Sequence, residues 1–295
     1  MGRTNFVEDE RIEAKTLTKK LIGILLTIFL ALGIVGAVGG YYCYINQLWM
    51  FENPIPPVGL PTELALHGAE PASTTNWQYA QCAPVLRRHI EENGETRQFA
   101  LDFYKYKDTD FDTDISGEVE EGEMPLLIQW DKRWGYRIYG TNYMGNNACG
   151  PTCMSMLYVG LTGDTSMNPY EMAKFAEARG YYLSQVGTKW ALMEDGAEEL
   201  GLTVEIYEKD QVADVEAVHA ALEAGKPVIC PMGPGDFTRG GHFIILTGID
   251  ENNQVSVLDP NSPKRSAMLW DFDQVMSQTK YAWGYSYTPG EQVLY

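Results

Sequence analysis

The sequence predicts an α+β fold, helices first and an antiparallel sheet last. Three observations carry that expectation. Residues 149 to about 201 hold three amphipathic runs, each stopping at a glycine: Gly163, Gly180 and Gly201. Apolar strand-like segments then follow in close succession from Thr203, two of them joined by the turn DENN rather than by a crossover. No internal repeat of the kind that builds a solenoid is visible.

The chain of 295 residues opens with 1–20, which carry Lys15, Lys19 and Lys20, and continues into the uncharged 25-residue stretch 21–45, LIGILLTIFLALGIVGAVGGYYCYI. About 20 helical residues cross a bilayer, whereas a signal peptide has a shorter apolar core of roughly 7–15 residues. Residues 21–45 are therefore expected to be a transmembrane helix, although Ala37-Val38-Gly39 resembles a cleavage site. The lysines before the helix, with only Glu52 close behind it, make 1–20 a cytoplasmic tail and put the rest outside the cell. Residues 46–78, rich in proline and small polar residues, read as a stalk.

Residues 79–123 read as a helical extension followed by an acidic connector. The runs YAQCAPVLRRHIEEN and ETRQFALDFYKY supply apolar stripes from Val85, Leu86, Ile90, Phe99, Leu101 and Phe103, with Arg88, His89 and Glu92 on exposed faces; the stripes predict docking onto the domain that follows. The segment DTDFDTDISGEVEEGE is expected to stay solvated, because its like charges have little apolar spacing. Residues 124–295 form the main domain. PLLIQW (125–130) is expected to be a short strand, the helix from Cys149 to stop at Gly163, and NPYEMAKFAEARG and KWALMEDGAEELG each to be one helix.

Composition excludes some functions. Beyond residue 20 the chain holds 17 basic and 36 acidic residues, which argues against nucleic acid as a partner. The five cysteines lack the spacing of a disulfide scaffold. Cys43 lies in the membrane stretch, Cys153 and Cys230 read as small buried hydrophobes, and a Cys82–Cys230 bridge stays open. No HExxH or paired CxxC competes as a metal site, and no cofactor is called for.

Cys149 heads ACGPTCMSMLYVGLTG. Gly150, Pro151 and the apolar residues after them start a helix at the cysteine, since proline is tolerated in a first turn. A sulfur there meets unpaired N–H groups and the positive end of the helix dipole, which favour thiolate over thiol. His242 opens the strand HFIILTGI. Of the four histidines it alone is borne on a strand; His67 falls in the stalk, and His89 and His219 fall on helices. If DENN (250–253) is a hairpin loop, Ile249 pairs with Gln254, Ile244 with Asp259 and His242 with Asn261. His242 and Asp259 then share a face in a diagonal relation that planar side chains can span, and a one-residue slip would separate them. Asn261 is the spare candidate for orienting the imidazole. Gln129 is the candidate amide donor to an oxyanion, and Trp130, Trp134 and Tyr139 either line a groove or simply pack. Thiol, imidazole and carboxylate in this order spell a papain-like cysteine hydrolase.

PLLIQWDKRWGYRIYG, ACGPTCMSMLYVGLTGD, MNPYEMAKFAEARGYY, GTKWALMEDGAEELGL, GPGDFTRGGHFIILTGID and VLDPNS together resemble the papain-fold cysteine peptidases of family C thirty-nine, in particular their stand-alone, membrane-anchored members from Gram-positive bacteria. The resemblance implies a papain-like fold over most of 124–285. It also implies Cys149 as nucleophile, His242 as base, Asp259 as its orienting group, Gln129 on the oxyanion, and a peptide or protein as substrate. No ATP-binding cassette accompanies the domain, so leader cleavage coupled to export does not carry over. An amidase of wall peptides or a transpeptidase or transglutaminase with the same site, and an anchored adhesion or peptide-binding module on a retired peptidase fold, are the competing readings.

Overall fold

The structure is a computed structural model that describes residues 84–120, 122–184 and 186–290. The expected cytoplasmic tail, membrane helix and stalk, with Cys43, His67 and Cys82, lie outside the described residues. Among those described, no helix is long and apolar enough to cross a membrane.

Helices α1 (Pro84–Glu92), α2 (Arg97–Leu101) and α3 (Phe103–Tyr106) form the extension, and α4 (Met144–Asn147) leads into α5 (Cys149–Thr162). After α6 (Pro169–Ala178) and α7 (Asp195–Glu199) come β1 (Thr203–Ile206), α8 (Val215–Glu223), β2 (Val228–Met232), β3 (His242–Ile249) and β4 (Gln254–Leu258). The chain continues through α9 (Pro263–Ser266), β5 (Leu269–Asp271), α10 (Phe272–Gln278) and β6 (Trp283–Ser286). These six strands make one sheet in the order β5-β4-β3-β2-β6-β1, with every pairing antiparallel. The mixed helix-and-sheet architecture is the expected one.

Both faces of the sheet are covered, which explains why its central strands read as unbroken apolar runs rather than alternating ones. Phe243 and Ile245 of β3 pack with Met154, Leu157 and Met172 of α5 and α6. Ile244 and Leu246 point the other way, to Val218 and Leu222 of α8 and Val275 of α10. Helix α5 is buried on nearly every side. It stops where expected, at Gly163, whose φ of 74° closes the helix with an N–H bond to Val159 O. Asn168 caps α6 by accepting from the amides of Tyr170 and Glu171, with Pro169 in the first turn.

Four expectations are corrected. Residues 125–130 form no strand, because their donors go elsewhere: Leu127 N to Met156 Sδ at 3.1 Å and Gln129 N to Pro260 O at 2.8 Å. The run KWALMEDGAEELG breaks into a 3-10 turn at Trp190–Leu192 and the short α7, with non-helical backbone at Glu194, whose carboxylate accepts from Trp283 Nε1 at 2.7 Å. The acidic connector is not merely solvated. Ile115 is fully buried in the main core, Arg137 binds Asp110 at 2.6 Å, and Arg133 bridges Glu118 and Asp131. Finally, His89 sits on an inner face of α1 rather than an outer one, only 5% exposed.

The β3–β4 hairpin combines two registers. Next to the turn, Val255 pairs with Ile249, one residue off the expected pairing. A bulge between Ser256 and Val257 then restores it, so that Val257 faces Leu246 and Leu258 faces Ile245. Continuing that register by one residue sets Asp259 across from Ile244, so the expected alignment holds where the candidate site lies.

Candidate active site

Cys149 is the first residue of α5, half-buried, with the backbone of Ala148 just before it turning out of α4. Close packing is what allows the helix to begin there. A Cβ on Gly150 would meet the Thr188 side chain at 2.7 Å, so only glycine lets the helix start approach that segment. One turn on, Cys153 is fully buried, its Sγ donating to Phe243 O at 3.3 Å, and burial pushes its thiol well above the usual range. Cys230 is a free thiol at the middle of β2, and burial pushes it up to about 12. Both therefore have the packing role expected of them.

His242 begins β3, paired with Met232 of β2, and is 5% exposed. Its Nε2 lies 2.7 Å from Asp259 Oδ1. With Nε2 committed there, Nδ1 is the nitrogen left for Cys149, which acts on the ring as both hydrogen-bond and charge partner. Burial alone would disfavour the imidazolium. The Asp259 charge and the hydrogen bonds to Asp259 and Cys149 outweigh it and raise the His242 pKa to about 9. For Asp259, burial pulls upward, but His242 and Arg265 prevail and hold its carboxyl below the usual carboxylate range.

The carboxylate of Asp259 is wholly buried and fully used. Oδ1 accepts from the Asn261 amide at 2.7 Å as well as meeting His242, and Oδ2 accepts from Arg265 Nε at 2.6 Å. Sequence alone does not single out Arg265, on the short α9, because in the run PNSPKRS nothing distinguishes it from a solvated lysine or arginine. Asn261 does not orient the imidazole with its amide, because its Oδ1 is bonded to His89 Nε2 at 3.0 Å. It acts instead through its backbone N–H on Asp259.

Gln129 is buried between the two halves of the site. Its backbone N–H bonds to Pro260 O, next to Asp259, while its Nε2 donates to Gly145 O at 3.0 Å, four residues before Cys149. Its Oε1 has no hydrogen-bond partner among the described residues. Of the aromatics nearby, Trp134 and Tyr139 are fully buried and belong to the core, with Trp134 Nε1 donating to Ile128 O and the Tyr139 hydroxyl bonded to Thr188 Oγ1. Trp130 donates through Nε1 to Asn261 O at 3.1 Å, so it braces the Asp259 loop. His219 stays on its helix surface beside Glu223.

The peptidase domain of Streptococcus ComA, a bi-functional ABC transporter involved in a quorum sensing pathway, is similar to the chain at 20% identity, covering 48% of this chain and 93% of that one with a TM-score of 0.36. No curated protein matches. The model of the Peptidase_C39 like family matches residues 122–290, more than half of the sequence and all of the elements that meet at Cys149, His242 and Asp259, and the chain belongs to that family.

Proposed function

We propose that the protein is a cysteine peptidase that hydrolyses peptide bonds with Cys149, His242 and Asp259, and that residues 21–45 anchor it in a membrane with the catalytic domain outside the cell. The observation that carries the catalytic part is the 2.7 Å contact between His242 Nε2 and Asp259 Oδ1, with Cys149 as the ring's other partner. The thiol proton of Cys149 passes to His242 before substrate is attacked, and Asp259 stabilises the imidazolium that holds it. The sulfur of Cys149 attacks the peptide carbonyl, forming a C–S bond while the carbonyl electrons move to oxygen. The Cys149 N–H and the second N–H of Gln129 Nε2 receive that oxyanion. Collapse expels the amine, which takes the proton from His242. A water activated by the neutral imidazole then cleaves the thioester, releasing the acid and restoring the thiol.

A site with a buried, doubly paired carboxylate behind an imidazole is more than peptide binding alone calls for. Acyl transfer to an amine shares every step up to the thioester. Incubating the full-length protein with a peptide library, with and without an added amine, and reading the products by mass spectrometry tests the proposal. Cleavage at peptide bonds that disappears in Cys149→Ala supports it. Amine adducts as the main product replace hydrolase with transferase, and labelling by a thiol-directed probe no better than in Cys149→Ala contradicts catalysis altogether. Protease shaving of intact cells tests the anchor. Release of the domain is expected, whereas a mature protein in the medium beginning at Gly40 would make residues 1–39 a signal peptide.

A further inference from the structure

The loop that holds Asp259 is tied down by the N-terminal extension from one side. His89 Nε2 bonds Asn261 Oδ1 at 3.0 Å, and Asn93 Nδ2 donates to Asn261 O at 2.5 Å. Glu95 accepts from Ser262 Oγ and from the Lys264 amide, the latter at 3.1 Å. These partners are about 170 residues away in sequence, so nothing local to the loop supplies them. The same extension also grips the approach to the nucleophile. Phe99 stacks on Tyr136 at 4.3 Å and packs so closely that a Cβ on Gly145 would meet its ring at 2.6 Å. Gly145 O is the acceptor of Gln129.

His89 is chemically odd for a packing residue. It is buried, its Nδ1 has no partner among the described residues, and burial and the nearby positive charge of Arg265 and His242 hold its pKa down to about 4 against the pull of Asn261 and Glu92. It therefore stays neutral at working pH, and its value to the protein lies in the one bond to Asn261. The path from there is short: Asn261 N–H to Asp259 Oδ1 at 2.7 Å, and the same oxygen to His242.

We propose that the extension 84–106 is a clamp that sets the geometry of the site, with His89 as a positioning residue that acts on Asp259 through Asn261. The proposal rests on the peptidase reading for its kinetic consequence, but not for its geometry. Holding a carboxylate within a few tenths of an ångström of its place needs supports that are themselves held, and a misplacement of about 1 Å in such a site can cost about 100-fold in rate.

The test uses the full chain with His89→Ala, His89→Gln and, as control, Arg88→Ala on the exposed side of the same helix. Two readouts are taken at a temperature where all are folded: kcat and KM on a cleaved peptide, and the rate at which iodoacetamide labels Cys149 at pH 6, which needs no substrate. His89→Ala should lower kcat about tenfold with KM within about twofold, and should slow labelling at pH 6 about fivefold, because an imidazole without a well-placed Asp259 supports less thiolate. His89→Gln, whose amide can still bond Asn261, should recover most of both. Wild-type kcat and labelling in His89→Ala would overturn the clamp, as would equal loss in His89→Ala and His89→Gln. If His89→Ala does not fold, Glu95→Gln at the rim of the clamp takes its place, with about a threefold loss of kcat expected and no loss overturning the idea. A wild-type protein that labels at Cys149 but cleaves no peptide would sink the peptidase reading alone, and the labelling arm would still decide the clamp.

Discussion

The two sides of the site are built in opposite ways. On the Cys149 side the sulfur is placed mainly by local structure, a short α4, one turn of backbone and a helix that stops at its own glycine, with Thr188 packed over Gly150 and Phe99 against Gly145. On the Asp259 side almost nothing is. The carboxylate is held by Asn261 and Arg265 nearby, but the loop itself hangs on Gln129, Trp130, Asn93, His89 and Glu95, all from earlier parts of the chain. A helix terminus orients its first residue by its own hydrogen bonds, whereas a loop after an edge of a hairpin has to be positioned by whatever packs on it.

The largest effects should come from the local side. Cys149→Ala is expected to cost about 10⁴-fold or more in turnover with the fold intact, while Cys153→Ala, one helical turn away, should keep most of the activity. Two well-folded and equally dead variants would mean that the nucleophile is misassigned. Next, Asp259→Ala should lower kcat about 10³- to 10⁴-fold with little change in KM, because in the proposed mechanism the carboxylate serves the imidazole and not the substrate. Gln129→Ala should follow at about 10²-fold, the usual cost of one oxyanion donor; a purely structural glutamine would instead lower the melting temperature and leave kcat alone. Smallest is Asn261→Ala, expected to cost about tenfold like His89→Ala, because it loses the same bond to His89 while its backbone N–H on Asp259 survives. An Asn261→Ala enzyme worse than Asp259→Ala would reverse the roles of carboxylate and amide.

That contrast also decides what was legible in the sequence. The helix at Cys149, its glycine stop, and the Asn168-Pro169 start of α6 follow from capping rules that operate over a few residues, and the structure has all three. The alignment of His242 with Asp259 was legible for a less secure reason. The expected register fails at the turn and is restored by a bulge that no residue in QVSVL announces. The ties on the Asp259 loop could not be read, because they join residues far apart in sequence, and His89 was assigned to a surface on its neighbours Arg88 and Glu92 alone. Likewise the acidic connector packs because Arg133 and Arg137, more than a dozen residues later, neutralise part of it.

The two histidines buried among the described residues sharpen the comparison through pH. His242 is raised to about 9 in the folded state, above an unfolded value near 6.5, so its contribution to stability is complete below about pH 6.5 and is lost as pH rises through 9. His89 is depressed to about 4, so its neutral form contributes stability above about pH 6.5 that is lost as pH falls toward 4. Thermal melting followed from pH 4 to 9 should show His89→Gln flattening the acid side and Asp259→Asn flattening the alkaline side. Variants that leave both slopes unchanged would remove either histidine from that role.

The central claim is that Asp259 holds His242 as an imidazolium beside Cys149. Ring NMR of the isotope-labelled protein measures it most directly, and with only four histidines in the chain the signals are few enough to assign by substitution. The account predicts that His242 titrates near pH 9 and moves to lower pH in Asp259→Asn. A His242 ring that titrates at or below about 6.5 in the wild-type protein, or that ignores the Asp259→Asn substitution, would contradict it.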